Sequence, residues 1–244
     1  MNPPALAIQG LTIRDGAGAT LVHDVHLALP PAGALTVIGE TGSGKSLLAQ
    51  AIFGLLPMSF TVGGRLLARG HEEVAFADRG GLQALWRRWS MLLPQEPSAA
   101  LDPTMRFGRQ LGEIVGGNQA VVSRALTEVD LARQTGRLYP FEASGGMAQR
   151  SLVAAAMLTD APVLVADEPT KGLDSARVGH ALGLLHGMLD RGRGLMVITH
   201  DYAVAQGLPG TLAVMKDGRI VEQGDRAVIL MAPSDPYTRA WLDA

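Results

Sequence analysis

The feature that most constrains this chain is an octapeptide in its first quarter. Gly39-Glu40-Thr41-Gly42-Ser43-Gly44-Lys45-Ser46 matches the pattern G-x-x-x-x-G-K-[ST] in full. It follows a compact apolar run over 34–38, as expected of a buried parallel strand. A helix-like stretch from 45 to about 53 comes directly after it. Strand, glycine turn and helix are the context in which this pattern cradles phosphate. Glycines let the backbone wrap so that successive N–H groups face phosphate oxygens. The helix N-terminus adds partial positive charge. Lys45 is then expected on the β- and γ-phosphates, and the Ser46 hydroxyl on Mg²⁺.

The rest of the chain alternates in the same way. Short β-like runs at 6–8 and 11–13 precede a turn at 15–18, and 22–29 alternates as a strand. Residues 59–93 read as a mixed region with more strands, with Gly63-Gly64 and Gly80-Gly81 as turn points. Residues 98–158 read as mostly helical, over 108–115, 119–129 and 148–158. Strands are expected at 163–166 and 195–199, a helix at 175–190, and a hairpin across Lys216-Asp217-Gly218. Alternation at both ends with a helical insert between them argues for α/β architecture with a helical subdomain.

Composition excludes several classes. The chain has 244 residues, and 47% are apolar, enough for a large core. Its 21 basic and 23 acidic side chains leave a formal charge of −2, so nothing favours nucleic acid as a partner. There is no cysteine, which excludes disulfides, thiolate zinc sites and iron–sulfur clusters. Residues 1–5 lack the basic start and apolar run of a secretory signal. The longest apolar stretch, 152–166, is broken by Thr159, Asp160 and Pro162, so a bilayer-spanning segment is not expected.

A second motif supplies the chemistry. Val163-Leu164-Val165-Ala166-Asp167-Glu168 is an apolar strand ending in two carboxylates. Adjacent strand residues point to opposite faces. Asp167 is therefore assigned to the metal, directly or through water, and Glu168 to the attacking water as general base.

Ala143-Ser144-Gly145-Gly146-Met147-Ala148-Gln149-Arg150 resembles the LSGGQ signature of ABC ATPases, just ahead of the acidic strand. Gln95 resembles that family's Q-loop, Gly172-Leu173-Asp174 its D-loop, and Thr199-His200-Asp201 its switch-histidine loop. All six motifs stand in the family's order and span essentially the whole chain. The resemblance implies a RecA-like P-loop NTPase core, an N-terminal antiparallel β subdomain and an inserted α-helical subdomain. It implies one ATPase domain over 1–244: about 1–95 and 160–244 as the nucleotide-binding core with its β subdomain, and about 96–159 as the helical signature subdomain. It further implies ATP and Mg²⁺ as cofactors, held between two ATPase units paired head to tail. On that basis residues Gly39 to Ser46 bind ATP in one unit. Ser144, Gly145 and Gly146 bind the γ-phosphate of the partner's ATP. Gln95 reaches Mg²⁺ or the attacking water, His200 contacts the γ-phosphate and holds Glu168, and Asp174 lies at the dimer interface. The other five histidines are read as structural. The basic stretch Trp86-Arg87-Arg88-Trp89 is read as a packed and solvated surface segment.

Local runs resemble the peptide and nickel importer branch. These are Gln95-Glu96-Pro97 through Leu101-Asp102-Pro103, the segment Leu138-Tyr139-Pro140-Phe141-Glu142, and the tail Asp235-Pro236-Tyr237-Thr238-Arg239-Ala240. The branch implies two permeases, a second ABC ATPase chain or a second copy of this one, and an external solute-binding protein acting indirectly. It implies a peripheral place on the cytoplasmic face of the inner membrane. Two other readings use the same ATP site: an ABC ATPase of a soluble enzyme complex, such as phosphonate breakdown, and a nucleotide-responsive module with little turnover. Three positions depart from the family pattern. Asp15 stands where an aromatic stacks on adenine, with Ile13 nearby; Ala143 replaces the signature Leu; and Lys171 replaces Thr or Ser.

Overall fold

The computed structural model describes residues 3–97, 100–173 and 175–243. Two sheets form. The first is wholly antiparallel and comes mostly from the N-terminal third: β1 (Leu6–Arg14), β2 (Thr20–Leu29), β4 (Thr61–Ala68) and β5 (Val74–Ala75), ordered β2-β1-β4-β5. The second has six strands in the order β10-β9-β3-β8-β7-β6. These are β3 (Ala34–Ile38), β6 (Ser90–Leu93), β7 (Val163–Asp167), β8 (Gly194–Thr199), β9 (Thr211–Lys216) and β10 (Arg219–Asp225). It is parallel except for the β9–β10 hairpin.

The central strands are buried on both faces, which explains why they read as unbroken apolar runs. The pleat divides them. Leu35, Val37, Val163, Val165, Met196 and Ile198 join a core shared with the antiparallel sheet. Leu164, Ala166, Leu195 and Val197 join a second core on the other face. Each fully buried Leu, Ile or Val contributes about 1.5–3 kcal/mol relative to exposure.

The helices follow the expected plan with local differences. Helix α1 (Lys45–Ile52) begins at the glycine loop. Between β6 and β7 lie α3 (Phe107–Ile114), α4 (Gln119–Glu128) and α5 (Gly145–Leu158), which share a core of Leu111, Val122, Leu126 and Ala154. Helix α6 (Ser175–Asp190) packs under β8, and α7 (Tyr202–Gly207), α8 (Arg226–Met231) and α9 (Pro236–Leu242) finish the chain.

Two glycine pairs differ from the expectation of turns. Gly80-Gly81 lie in the first turn of α2 (Arg79–Trp89), because the Asp78 carboxylate accepts the Gly81 N–H at 2.9 Å and caps a helix there. Gly63-Gly64 lie inside β4. Opposite them β1 carries an extra residue, since Gln9 pairs with Arg65 and Thr12 with Gly63. Gly64 has φ +96°, and a Cβ there would stand 2.6 Å from the Gln9 and Gly10 carbonyl oxygens. The same bulge makes one strand of what reads as two short runs. The segment around Trp86 is part of α2, with Trp86 Nε1 donating to the Phe53 carbonyl at 2.9 Å and Trp89 buried.

Candidate functional site

The loop at residues 39–46 leaves the end of β3 and is gripped from three directions. Gly39 has φ +153°, and a Cβ on it would lie 2.1 Å from the Met215 carbonyl of β9, so only glycine fits. Ser43 accepts the Gly218 N–H on its carbonyl at 3.0 Å, tying the loop to the β9–β10 turn. Lys45 is buried and donates from Nζ to the carbonyls of Gly39 and Glu40, both at 2.7 Å. Burial lowers its pKa, while the nearby carboxylates of Glu168, Asp167 and Glu40 work against that.

The acidic strand delivers its two carboxylates to different partners. Asp167, the last residue of β7, accepts from the Ser46 hydroxyl at 3.2 Å. Its carboxyl is held above its usual value, chiefly by burial. The Ser46 hydrogen bond and the positive charges of Lys45 and Lys171 oppose the rise, and the Glu168 charge adds to it. Glu168 lies just beyond the strand with φ +51°, a left-handed conformation that costs a non-glycine residue about 1–3 kcal/mol. This kink, rather than strand alternation alone, separates it from Asp167. Its N–H still bonds the Ile198 carbonyl at 2.8 Å, and its carboxylate reaches the end of β8. There Thr199 Oγ1 donates to Oε2 at 3.1 Å, and His200 Nδ1 lies 2.7 Å from Oε1. Glu168 is only 6% exposed, whereas the His200 side chain is about half exposed. The imidazole thus spans from a buried carboxylate to the rim of the site.

Thus the structure brings together Lys45, Ser46, Asp167, Glu168 and His200. Among the described residues, Gln95 makes no hydrogen bond to the acidic pair. It stands half-buried on the bend after β6, and its neighbour Glu96 pairs with Lys171 at 3.8 Å. Ser144 caps α5, its hydroxyl accepting the Met147 N–H at 3.3 Å, and Gly146 is pinned through its carbonyl by Arg150. Ser144 and Gly145 are exposed, and among the described residues no hydrogen bond joins the Ser144 to Gly146 segment to the phosphate loop. Asp174, and Ser98-Ala99 in the run after Gln95, lie outside the described residues. At the adenine position, Asp15 spends its carboxylate on the N–H groups of Ala17 and Ala19, each at 2.9 Å, and Ile13 is fully buried.

Three partners of the site have roles that the sequence reading did not assign to them, although Thr199 and Gln149 stand within its switch-histidine and signature motifs. Thr199 and Thr170 are small hydroxyls: the first holds Glu168, and the second donates to Asp201 at 3.3 Å. Gln149 on α5 donates to the Pro169 carbonyl at 2.6 Å, linking the signature helix to the residue after Glu168. Thr199 had a visible signal, since it stands directly before His200 at a strand end.

Comparison with known proteins agrees with this geometry. The ABC transporter family profile matches residues 22–171. A nickel import ATP-binding protein, NikD, of Rhodospirillum rubrum is 38% identical, covering all of this chain and 96% of that protein. The oligopeptide transport ATP-binding protein OppD of Salmonella typhimurium is 34% identical over 92% of this chain and 70% of its own length. Among solved structures, the dimeric bacterial ABC transporter cassette MJ0796 superposes with a TM-score of 0.78 at 21% identity, covering 91% of this chain and 98% of the other. The chain belongs to the ABC transporter family, as one of its ATP-binding cassettes.

Proposed function

We propose that this chain is the ATP-hydrolysing subunit of an ABC importer for a peptide, a nickel complex or a related small solute. The observation that carries the reading is the Glu168 carboxylate, gripped by Thr199 and His200 beside the Ser46–Asp167 pair at the base of the phosphate loop. The relatives, a nickel import and an oligopeptide transport ATP-binding protein, support the importer branch over a soluble enzyme complex.

The residues suit the chemistry. Lys45 presents its ammonium at the throat of the loop to the β- and γ-phosphates. Ser46 and Asp167 offer hard oxygen donors at one point, and a buried carboxylate gains most from a neighbouring cation. These two residues, with Gln95, would hold Mg²⁺, which supplies charge neutralisation along the phosphates. Glu168 accepts a proton from the attacking water as the water oxygen bonds the γ-phosphorus. The bond to the bridging oxygen breaks, and its electron pair leaves with ADP. Thr199 and His200 each occupy one lone pair on a Glu168 oxygen and leave another for that proton. Ser144 and Gly145, exposed at the start of α5, and the half-buried Gly146 serve the γ-phosphate of a partner's ATP, with Asp174 at the interface.

This assignment treats about 1–95 and 160–244 as the nucleotide-binding core and about 96–159 as the signature subdomain of one ATPase domain. Where the two meet, an apolar cavity of about 800 Å³ is walled by Phe53, Trp86, Leu101, Phe107, Leu111 and Leu152. It fits an apolar segment of a permease, so that two permeases and a second ATPase chain, or a second copy, hold this subunit on the cytoplasmic face of the membrane. No described helix is long and apolar enough to cross a membrane itself.

Two measurements test this. Glu168→Gln is expected to keep ATP binding and lower turnover by at least about 100-fold, the usual range for a lost general base; unchanged turnover removes Glu168 from that role. Affinity capture of the chain from gently solubilised membranes is expected to recover two polytopic permeases. Recovery only with soluble metabolic enzymes overturns the importer reading.

A further inference from the structure

We propose that Tyr237 is a positioning residue for the phosphate loop, so that α9 holds the ATP site from the opposite end of the sequence. The proposal rests on the assignment of residues 39–46 as the ATP loop.

The Tyr237 hydroxyl accepts the backbone N–H of Glu40 at 3.1 Å, across 197 residues of sequence. Glu40 is the second residue of the loop, and its carbonyl accepts from Lys45 Nζ at 2.7 Å. One residue of the loop is therefore held at its N–H by Tyr237 and at its C=O by the lysine that meets the phosphates. The Tyr237 ring is fixed in turn, with the Lys216 ammonium 4.7 Å from its centroid. Lys216 follows Met215, whose carbonyl presses on Gly39. The two polar contacts of Tyr237 thus come from Glu40 and Lys216, each next in sequence to one of the two residues, Gly39 and Met215, that meet at the start of the loop.

The helix that carries Tyr237 is itself anchored. Asp235 caps it, accepting the N–H groups of Tyr237 at 2.8 Å and Thr238 at 3.3 Å. Glu222 on β10 accepts the Ser234 N–H at 2.8 Å, the Ser234 hydroxyl at 2.7 Å and the Asp235 N–H at 3.3 Å. Burial works to raise the Glu222 carboxyl, but the nearby Thr238 hydroxyl and the hydrogen bonds from Ser234 and Asp235 outweigh it and bring it to about 2. The helix start is therefore tied to the β9–β10 hairpin by an acceptor that stays ionised at physiological pH.

Removing the hydroxyl frees the Glu40 peptide and leaves the ring, Lys216 and the Glu168–His200 pair in place. More of the loop must then be ordered when nucleotide binds. Tyr237→Phe in the full chain is expected to raise the ATP Kd and KM about three- to tenfold, the effect of one net hydrogen bond, with kcat within about twofold. The nucleotide-free melting temperature is expected to stay within about 2 °C. Tyr202→Phe is the control: Tyr202 meets Trp241 of α9 at 6.3 Å between ring centroids and leaves the loop untouched, so its Kd is expected to match the wild type. An unchanged Kd in Tyr237→Phe overturns the proposal. So does a raised Kd together with a melting temperature lowered by more than about 5 °C without nucleotide, because the residue then serves the fold. Failure of the wild type itself to bind ATP overturns the loop assignment instead, and the proposal with it.

Discussion

At the scale of single residues, the acidic pair is a balance between burial and charge. The folded state holds the Asp167 proton more tightly than the unfolded chain does, because its carboxyl is raised by burial. Its contribution is therefore fully stabilising only below the unfolded value, near pH 3.9. It is lost as pH rises through the raised folded value. Asp167→Asn is accordingly expected to raise the nucleotide-free melting temperature at pH 7 by about 2–4 °C, with the gain vanishing toward pH 4. Thermal scans across that range check it, and a gain that grows on acidification overturns the assignment of a buried, costly charge. Lys45, Asp167 and Glu168 were legible in the sequence because each sits at a fixed offset from a glycine loop or a strand end, and His200 through the resemblance of Thr199-His200-Asp201 to the switch-histidine loop. Thr199, Gln149 and Tyr237 were not singled out, because a hydroxyl or an amide signals nothing until folding places it beside a partner far along the chain.

At the scale of elements, the central strands and the helices α1, α3, α4, α5 and α6 could be read directly, since apolar runs and helical periodicity carry over into burial, whereas α2 was hidden in a region read as mixed with more strands. The glycine pairs could not, because glycine marks a bulge, a cap and a turn alike. Gly64 and Gly63 separate these cases experimentally. Gly64→Ala forces a Cβ against two carbonyl oxygens of β1 at a positive φ and is expected to cost more than about 2 kcal/mol. Gly63→Ala meets nothing within 4 Å and is expected to stay within about 0.5 kcal/mol of the wild type. Denaturant unfolding of the two variants measures both, and equal losses would mean that the bulge does not set the register of the antiparallel sheet. The short helices α7, α8 and α9 also went unread. Each is only six or seven residues long and is held by an aspartate cap, through Asp201, Asp225 and Asp235, rather than by a long apolar stripe.

At the scale of the whole molecule, the proposed assembly uses two faces: the exposed start of α5 and the apolar cavity beside α2. Ile114 stands partly exposed on the cavity wall, away from the phosphate loop. Ile114→Glu is expected to cut recovery of permeases at least about fivefold in membrane capture, since a buried unpaired charge costs several kcal/mol, while ATP turnover of the isolated chain stays within about twofold. Loss of both together would place Ile114 in the fold rather than at a docking surface. The order of the six motifs foreshadowed the core, but nothing in the sequence could show that the last helix returns to the first glycine loop. That closure has a consequence for synthesis. At about 5–20 residues per second, roughly 10–40 s separate the emergence of Glu40 from that of Tyr237, 197 residues later. During that interval the Glu40 N–H of the nascent chain lacks its Tyr237 acceptor, so the phosphate loop reaches its full set of contacts only after α9 has emerged.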